Sequence, residues 1–561
     1  MLMITVAVPA VGIDVEKERQ PPPAPTPLDF PSYVIPEPDE NASEATLDDF
    51  YRVLLSIRKP QDLTVHHLKA LNLKLQSDVP ISSIVPEDRM KDLPPLPWEE
   101  NSSDQSGSET SQKLMSNGNP YPPKEKYDVV KKEMLFDNDD AFREVSRMAP
   151  RPGRERVKLT QSRRFWAGLE HMAQYWDDSL DHYYERPATP KPTSDEEAGD
   201  KMQTDNDQSE KTDGTDGKMD VDSDTQDKRE DQASQPTKTV YTGRRIGNGS
   251  EMPEEMREET IRGFVEMAAW PFGCQTTVPS LPPRLAVRNL LFPVRQTLLA
   301  ARAPKDRQLA RKGILEGPML LVQCRPETSF REAGQDVGYG TGEVCDLFRE
   351  IGAMLLMAQE RAREGSTEVK PGEGKWWTTK PRWGGAPNAG VTGDASNSDE
   401  KPAEDDSENK AAAEAGNANK RSKHDHPFTF RRTSSGSSGH PRKMSNAEKW
   451  KLLQPGPSLW DKKMIYMQIG KPKDSPFDDI YMVSSINTHV SIVHLRVHRR
   501  YLENIQTGKR NFPEEKNTSG QPWHILQLRR TRWFDLFKAS DRLEAFEGVW
   551  RIFHYMMRNS D

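Results

Sequence analysis

The chain has 561 residues, a hydrophobic content of 34% and 45 prolines, so long stretches lack the apolar residues that a buried core requires. Its formal charge is −8, but the segment from Lys191 to Asp231 alone holds 15 acidic and 6 basic residues, which leaves the remainder near neutrality and excludes a uniformly basic nucleic-acid binder. The three cysteines, Cys274, Cys324 and Cys345, are far apart; they make neither a disulfide framework nor a paired zinc spacing, and a reducing compartment is expected.

In chain order, the apolar start lacks a basic leader, is broken by Pro9 and is too short to span a bilayer, so no membrane association is expected. Residues 1–45 read as an extended arm. Residues 46–100 hold a small helical hairpin, with Leu47, Phe50, Tyr51, Leu54 and Leu55 on one helix and Val65, Leu68 and Leu71 on the next, followed by a proline-rich tail. A linker over 101–126 leads to 127–186, where Phe165, Leu169, Met172, Trp176, Leu180 and Tyr183 trace a helical stripe behind a basic loop.

Residues 187–240 are acidic, nearly free of aliphatic side chains and expected to be disordered. Order returns over 241–365, the expected main helical core. Pro253 and Pro271 bound one helix, the proline-punctuated run after it reads as short bent helices, and ILEGPMLLVQC reads as one buried strand or apolar segment. The last helix here is the best specified: Val344, Leu347, Phe348, Ile351, Met354, Leu355 and Ala358 share a face, with Thr341 as the cap and Gly365 as the stop.

Residues 366–446 form a second expected disordered segment, tryptophan-containing and then basic and serine-rich. Trp376, Trp377 and Trp383 are candidate partner anchors, because exposed tryptophan is costly unless covered. Arg431 and Arg432 precede Ser434 and Ser435, candidate phosphorylation sites. Lys420, Arg421, Arg431, Arg432, Arg442 and Lys443 are candidate nuclear-import residues. Over 447–561, MIYMQI, IYMVSSI, VSIVHLRV and WHILQLR read as strands of a small antiparallel sheet, and a final helix starts at Arg542 behind Ser540 or Asp541.

The expected fold is therefore predominantly α with a small antiparallel β-sheet near the C-terminus, an α+β composite core interrupted by long disordered insertions.

Four further sites carry chemistry on paper. Residues 336–344, DVGYGTGEV, resemble the nucleotide loop of S-adenosylmethionine-dependent methyltransferases, which implies a cofactor held at Gly338, Gly340 and Gly342; read from the residues alone, the same glycines are a helix-entry turn. Cys345, in the first turn of the helix, has a position that could lower a thiol pKa. His489, His494 and His498 suggest a metal, but on a strand His494 and His498 would lie about 13 Å apart, too far to share one zinc. Arg496, Arg499, Arg500, Arg529, Arg530 and Arg532 are candidate nucleic-acid contacts in the most basic block of the chain.

No constellation forces a catalytic reading. The sequence favours a non-enzymatic regulatory or scaffold protein, transcription- or chromatin-associated, nuclear rather than cytoplasmic. Other proteins are its expected partners, no cofactor or metal is expected, and nucleic-acid binding and methyl transfer are the alternatives.

Overall fold

The computed structural model describes residues 12–38, 50–57, 62–99, 113–187, 237–278, 283–288, 290–363, 465–471, 475–512 and 521–559. The tryptophans 376, 377 and 383, Ser434 and Ser435, and the six import residues lie outside them. Two compact units result, one of residues 1–12, 26–172 and 250–561, the other of residues 13–25 and 173–249.

The larger unit is built on a nine-stranded mixed sheet, not on helices with a small sheet, and the expected fold class is corrected accordingly. The strands of the chain, in order, are β1 (Leu73–Gln76), β2 (His182–Pro187), β3 (Thr237–Thr242), β4 (Cys274–Thr277), β5 (Arg284–Val287), β6 (Leu290–Pro293), β7 (Leu298–Arg302), β8 (Ile314–Arg325), β9 (Ile465–Met467), β10 (Phe477–Ile486), β11 (His489–His498), β12 (Leu526–Arg530) and β13 (Phe534–Asp535). The main sheet runs β1-β12-β11-β10-β8-β7-β4, with β13 added to β11 and β9 to β8. Strand β1 pairs in parallel with β12, matching Leu73 to Leu526, and β8 pairs in parallel with β10, matching Leu321 to Met482.

Two physical reasons explain the missed strands. Apolar runs of four or five residues do not distinguish a strand from a buried helix by periodicity; the stretch read as bent helices forms β4 to β7, and Pro293 closes a strand instead of kinking a helix. Pairing partners hundreds of residues apart also leave no local signal.

Four helices matter here: α1 (Phe50–Ser56), α2 (Thr341–Ala362), α3 (Arg499–Thr507) and α4 (Ala539–Met556). Helix α2 lies on one face of the sheet, against Leu321, Ile480, Met482, Val493, Leu495, Leu526 and Leu528. An outer layer covers it in turn: Phe50 of α1 stacks 6.1 Å from Phe348, and the same core takes in Leu285 and Phe292 of the β5/β6 hairpin and Tyr501 and Ile505 of α3. The result is a helix buried on every side, including Asp346, Glu350, Gln359 and Arg361, where the sequence suggests a single apolar stripe.

On the opposite face α4 comes so close to β11 that a Cβ on Gly548 would stand 2.3 Å from Ile492. Its start also departs from expectation. The helix begins at Ala539 behind Lys538 with no side-chain cap, because Asp541 instead accepts from the Asp535 amide at 3.0 Å and holds Arg532. Among the described residues, no helix is long and apolar enough to cross a membrane.

In the smaller unit, β2 and β3 form a hairpin in which Pro187 faces Thr237. The helix behind it ends at Trp176, since Asp177 folds back to accept from the Ser179 amide at 3.1 Å; Tyr183 therefore sits on a strand and not on the helical stripe. Arg245, fully buried, is held by Asp181 at 2.6 Å and by the Pro23 carbonyl at 2.9 Å.

Candidate functional site

In sheets with parallel strands, ligands collect outside the carboxyl ends of those strands. Here β8 ends at Arg325 and β10 carries Ser484 and Ser485 near its end, with the first turns of α2 beside them. Arg325, fully buried, pairs with Asp346 and with Glu350 at 3.0 Å, and donates to Ser484 and, at 3.3 Å, to the Ser485 carbonyl. Glu350 also holds Arg530. Two guanidiniums therefore meet two carboxylates, and the Trp533 ring lies 5.5 Å from the first and 5.3 Å from the second.

The chain's own arm closes this place. Tyr33 donates to Asp346 at 2.8 Å, its ring lies 4.9 Å from the Arg530 guanidinium, and burial with the Asp346 and Glu350 charges pushes its phenol well above the usual range. Phe30 stacks on Trp533 at 5.4 Å, and Asp29 pairs with Arg331 at 2.7 Å.

The glycine loop is committed in the same way. Glu343 accepts the amides of Gly338 at 2.8 Å and Gly340 at 3.1 Å with one oxygen, and the amide of Ser32 at 2.8 Å and Arg331 at 3.2 Å with the other. Gly338 has a φ of +85°, and a Cβ there would stand 2.2 Å from Val34; one on Gly342 would stand 2.4 Å from the Phe330 carbonyl. These glycines make room for the protein's own Val34 side chain and Phe330 carbonyl, and the two amides that a methyltransferase-like loop would turn to a cofactor face Glu343. The helix cap is Gly340 and not Thr341.

Cys345 is buried, and that burial pushes its thiol up to about 11, against the pull of Arg349; the dipole position does not make it a nucleophile. The three histidines of β11 have separate tasks. His489 lies 4.9 Å edge-on to Phe30, His494 pairs with Asp479 at 2.9 Å, and His498 caps α3 by accepting from the Arg500 amide at 3.0 Å. Among the described residues, no group of three side chains is placed to hold a metal.

The six arginines scatter. Arg530 is 4% exposed and belongs to the buried pair described above, and Arg532 is matched to Asp541 at 3.0 Å and Glu544 at 2.6 Å. Arg499 and Arg500 open α3, and the Arg500 guanidinium lies 5.4 Å from the Phe512 ring. Only Arg496 and Arg529 are brought together: they line one cleft of about 340 Å³ with His494, Gln527, Ser83, Val85, Pro86 and Glu87.

Strand register builds that cleft. His494 faces Arg529 and Arg496 faces Gln527 across β11 and β12, while Asp479 and Tyr481 of β10 face Arg496 and His494. Leu495 and Leu528, between them, point into the core. Asp479 is buried, which opposes ionisation, yet the hydrogen bond and attraction of His494 and the charges of Arg496 and Arg558 hold its carboxyl well below the usual range. Tyr555 donates to its other oxygen at 3.0 Å, and Tyr481 stacks 4.9 Å from the His494 ring.

Sequence reasoning missed Asp479, Gln527, Glu87 and Ser83 as members of this group. Alternation in HLRVH and QLRR offered a signal, but only the pairing of the strands joins the two runs.

The chain is thus an α/β protein with a mixed central sheet, a crevice filled by its own arm and one polar cleft on the other face. No known protein family, curated protein or solved structure matches it.

Proposed function

We propose that this protein is a non-enzymatic regulator or scaffold that works in the nucleus through contacts with other proteins, its folded units holding the inserted segments that recruit them. One observation carries the reading: the place where a parallel β-α-β arrangement takes a substrate is filled by Tyr33 and by a neutral set of Arg325, Arg530, Asp346 and Glu350. With the glycine-loop amides turned to Glu343, neither position is open to a cofactor. The inserted segments, by contrast, carry an acidic tract, three tryptophans and Ser434 and Ser435 behind paired arginines, the residue types that partners and basophilic kinases read.

Calorimetry with S-adenosylmethionine tests the enzymatic alternative and is expected to give no heat of binding. Saturable binding that Gly340→Val abolishes would replace the scaffold reading with a catalytic one.

A further inference from the structure

The cleft over β11 and β12 has a chemistry that the scaffold role does not use. His494 is 3% exposed and lines it, and its Nδ1 has no hydrogen-bond partner; neither does Arg496 Nε. Buried polar atoms without partners are costly, so a cleft lined by two residues that hold such atoms is built for something that supplies the partners. Arg529 already donates to Gln76 at 3.2 Å and to the Ser83 carbonyl at 3.1 Å, which fixes its guanidinium on the cleft wall.

Each donor and acceptor narrows the ligand. His494 Nε2 and Asp479 share a hydrogen bond of 2.9 Å, which leaves Nδ1 as the open position of the ring. That atom asks for a partner able to donate or to accept, while Arg496 and Arg529 ask for an anion. A carboxylate offers oxygens alone. A phosphate monoester offers charged oxygens to the two guanidiniums and, as its monoanion, both an oxygen and an O–H from which Nδ1 can take its partner. Glu87, on the exposed side of the same cleft, would repel the phosphate but suits a hydroxyl on the remainder of the molecule, against Val85 and Pro86.

We propose that this cleft binds a small phosphorylated sugar or polyol, with Arg496 and Arg529 on the phosphate, His494 Nδ1 on one of its oxygens and Glu87 on a hydroxyl of the carbon skeleton. The occupant would fill the cleft between the 83–87 segment and the sheet, and so would tie that segment to β11 and β12.

The test is calorimetry on the full chain with glucose 6-phosphate, inorganic phosphate and succinate. Glucose 6-phosphate is expected to bind most tightly and succinate most weakly. Arg496→Gln with Arg529→Gln is expected to weaken the phosphate probes about tenfold or more, and Glu87→Gln to narrow the gap between glucose 6-phosphate and inorganic phosphate. Should the double variant fold poorly, the wild-type protein carries the test by nitrogen NMR of its labelled histidines. The Nδ1 signal that His494→Gln removes is then expected to shift on adding glucose 6-phosphate. Succinate binding as tightly as glucose 6-phosphate, or an unmoved His494 signal at saturating sugar phosphate, overturns the proposal.

Discussion

Arginine here is largely an interior residue. Arg325, Arg361 and Arg542 are fully buried, and each joins segments far apart in the chain. Arg361 grips Asp478 with two hydrogen bonds of 2.8 and 2.9 Å and adds the carbonyls of Pro318 and Ile469. Arg542 collects the carbonyls of Met134, Phe136 and Leu536 under the Trp166 ring. Planar five-donor forks suit this work, because buried carbonyls and carboxylates must be satisfied. Arg530→Met is therefore expected to destabilise by about 3–5 kcal/mol, because it strips Glu350 of one of its two buried guanidinium partners. Arg529→Gln, on the cleft wall, should cost about 1 kcal/mol. Equal and small losses in urea titrations of both variants would remove Arg530 from the core.

His554 gives the pH dependence at the same scale. Burial pushes its imidazole down to about 4, even though the Pro94 carbonyl accepts from it at 3.0 Å. An unfolded histidine protonates near 6.5, so the unfolded chain binds the proton first. The stability is fully present above about pH 6.5 and is lost as pH falls toward about 4, by roughly 3 kcal/mol for this group. Glu360, pushed up to about 7 by burial, works in the opposite direction over much of that window. The difference between wild type and His554→Gln cancels it. That difference is expected to shrink steadily from pH 7 to pH 4.5 in denaturant titrations, and a constant difference would contradict the assignment.

At the scale of elements, helix α2 was the most legible part of the sequence, for a physical reason: seven apolar residues from Val344 to Ala358 recur at helical spacing, although the cap is Gly340 and not Thr341. What periodicity could not convey is that the polar side is buried too. Asp346, Glu350 and Arg361 look like solvated charges by composition, and only their partners on β8, β10 and β12 reveal otherwise. Similarly, Gln359 closes two hydrogen bonds of 3.1 and 2.7 Å with the backbone of Ala286, a pairing that no local pattern announces. Leu347→Asp is expected to abolish cooperative unfolding, since a lone buried charge costs several kcal/mol. Glu343→Gln is milder and more specific. Losing the carboxylate that gathers Ser32, Gly338, Gly340 and Arg331 should cost about 1–3 kcal/mol and speed hydrogen exchange at residues 32 and 338–340 above the rest of the sheet. Unchanged protection there would contradict the account of the loop.

For the whole molecule, the sheet is collected from pieces spread over 450 residues: β1 pairs with β12, and β8 with β10, across the segments outside the described residues. The strand runs near the C-terminus were legible because they are β-branched and long. The central β8 partner was not, because parallel pairing requires a distant crossover. Pro187 pairs opposite Thr237, so the two ends of the 188–236 segment meet at one end of the β2/β3 hairpin. A unit so assembled is suited to hold long inserts without disturbing its own core, which is the centre of the functional reading. The direct measurement compares the full chain with a version in which 366–446 is replaced by a glycine-serine linker. The account predicts melting temperatures within a few degrees of each other and partner proteins captured by the full chain alone. Partners retained by the shortened version, or its failure to fold, would contradict it.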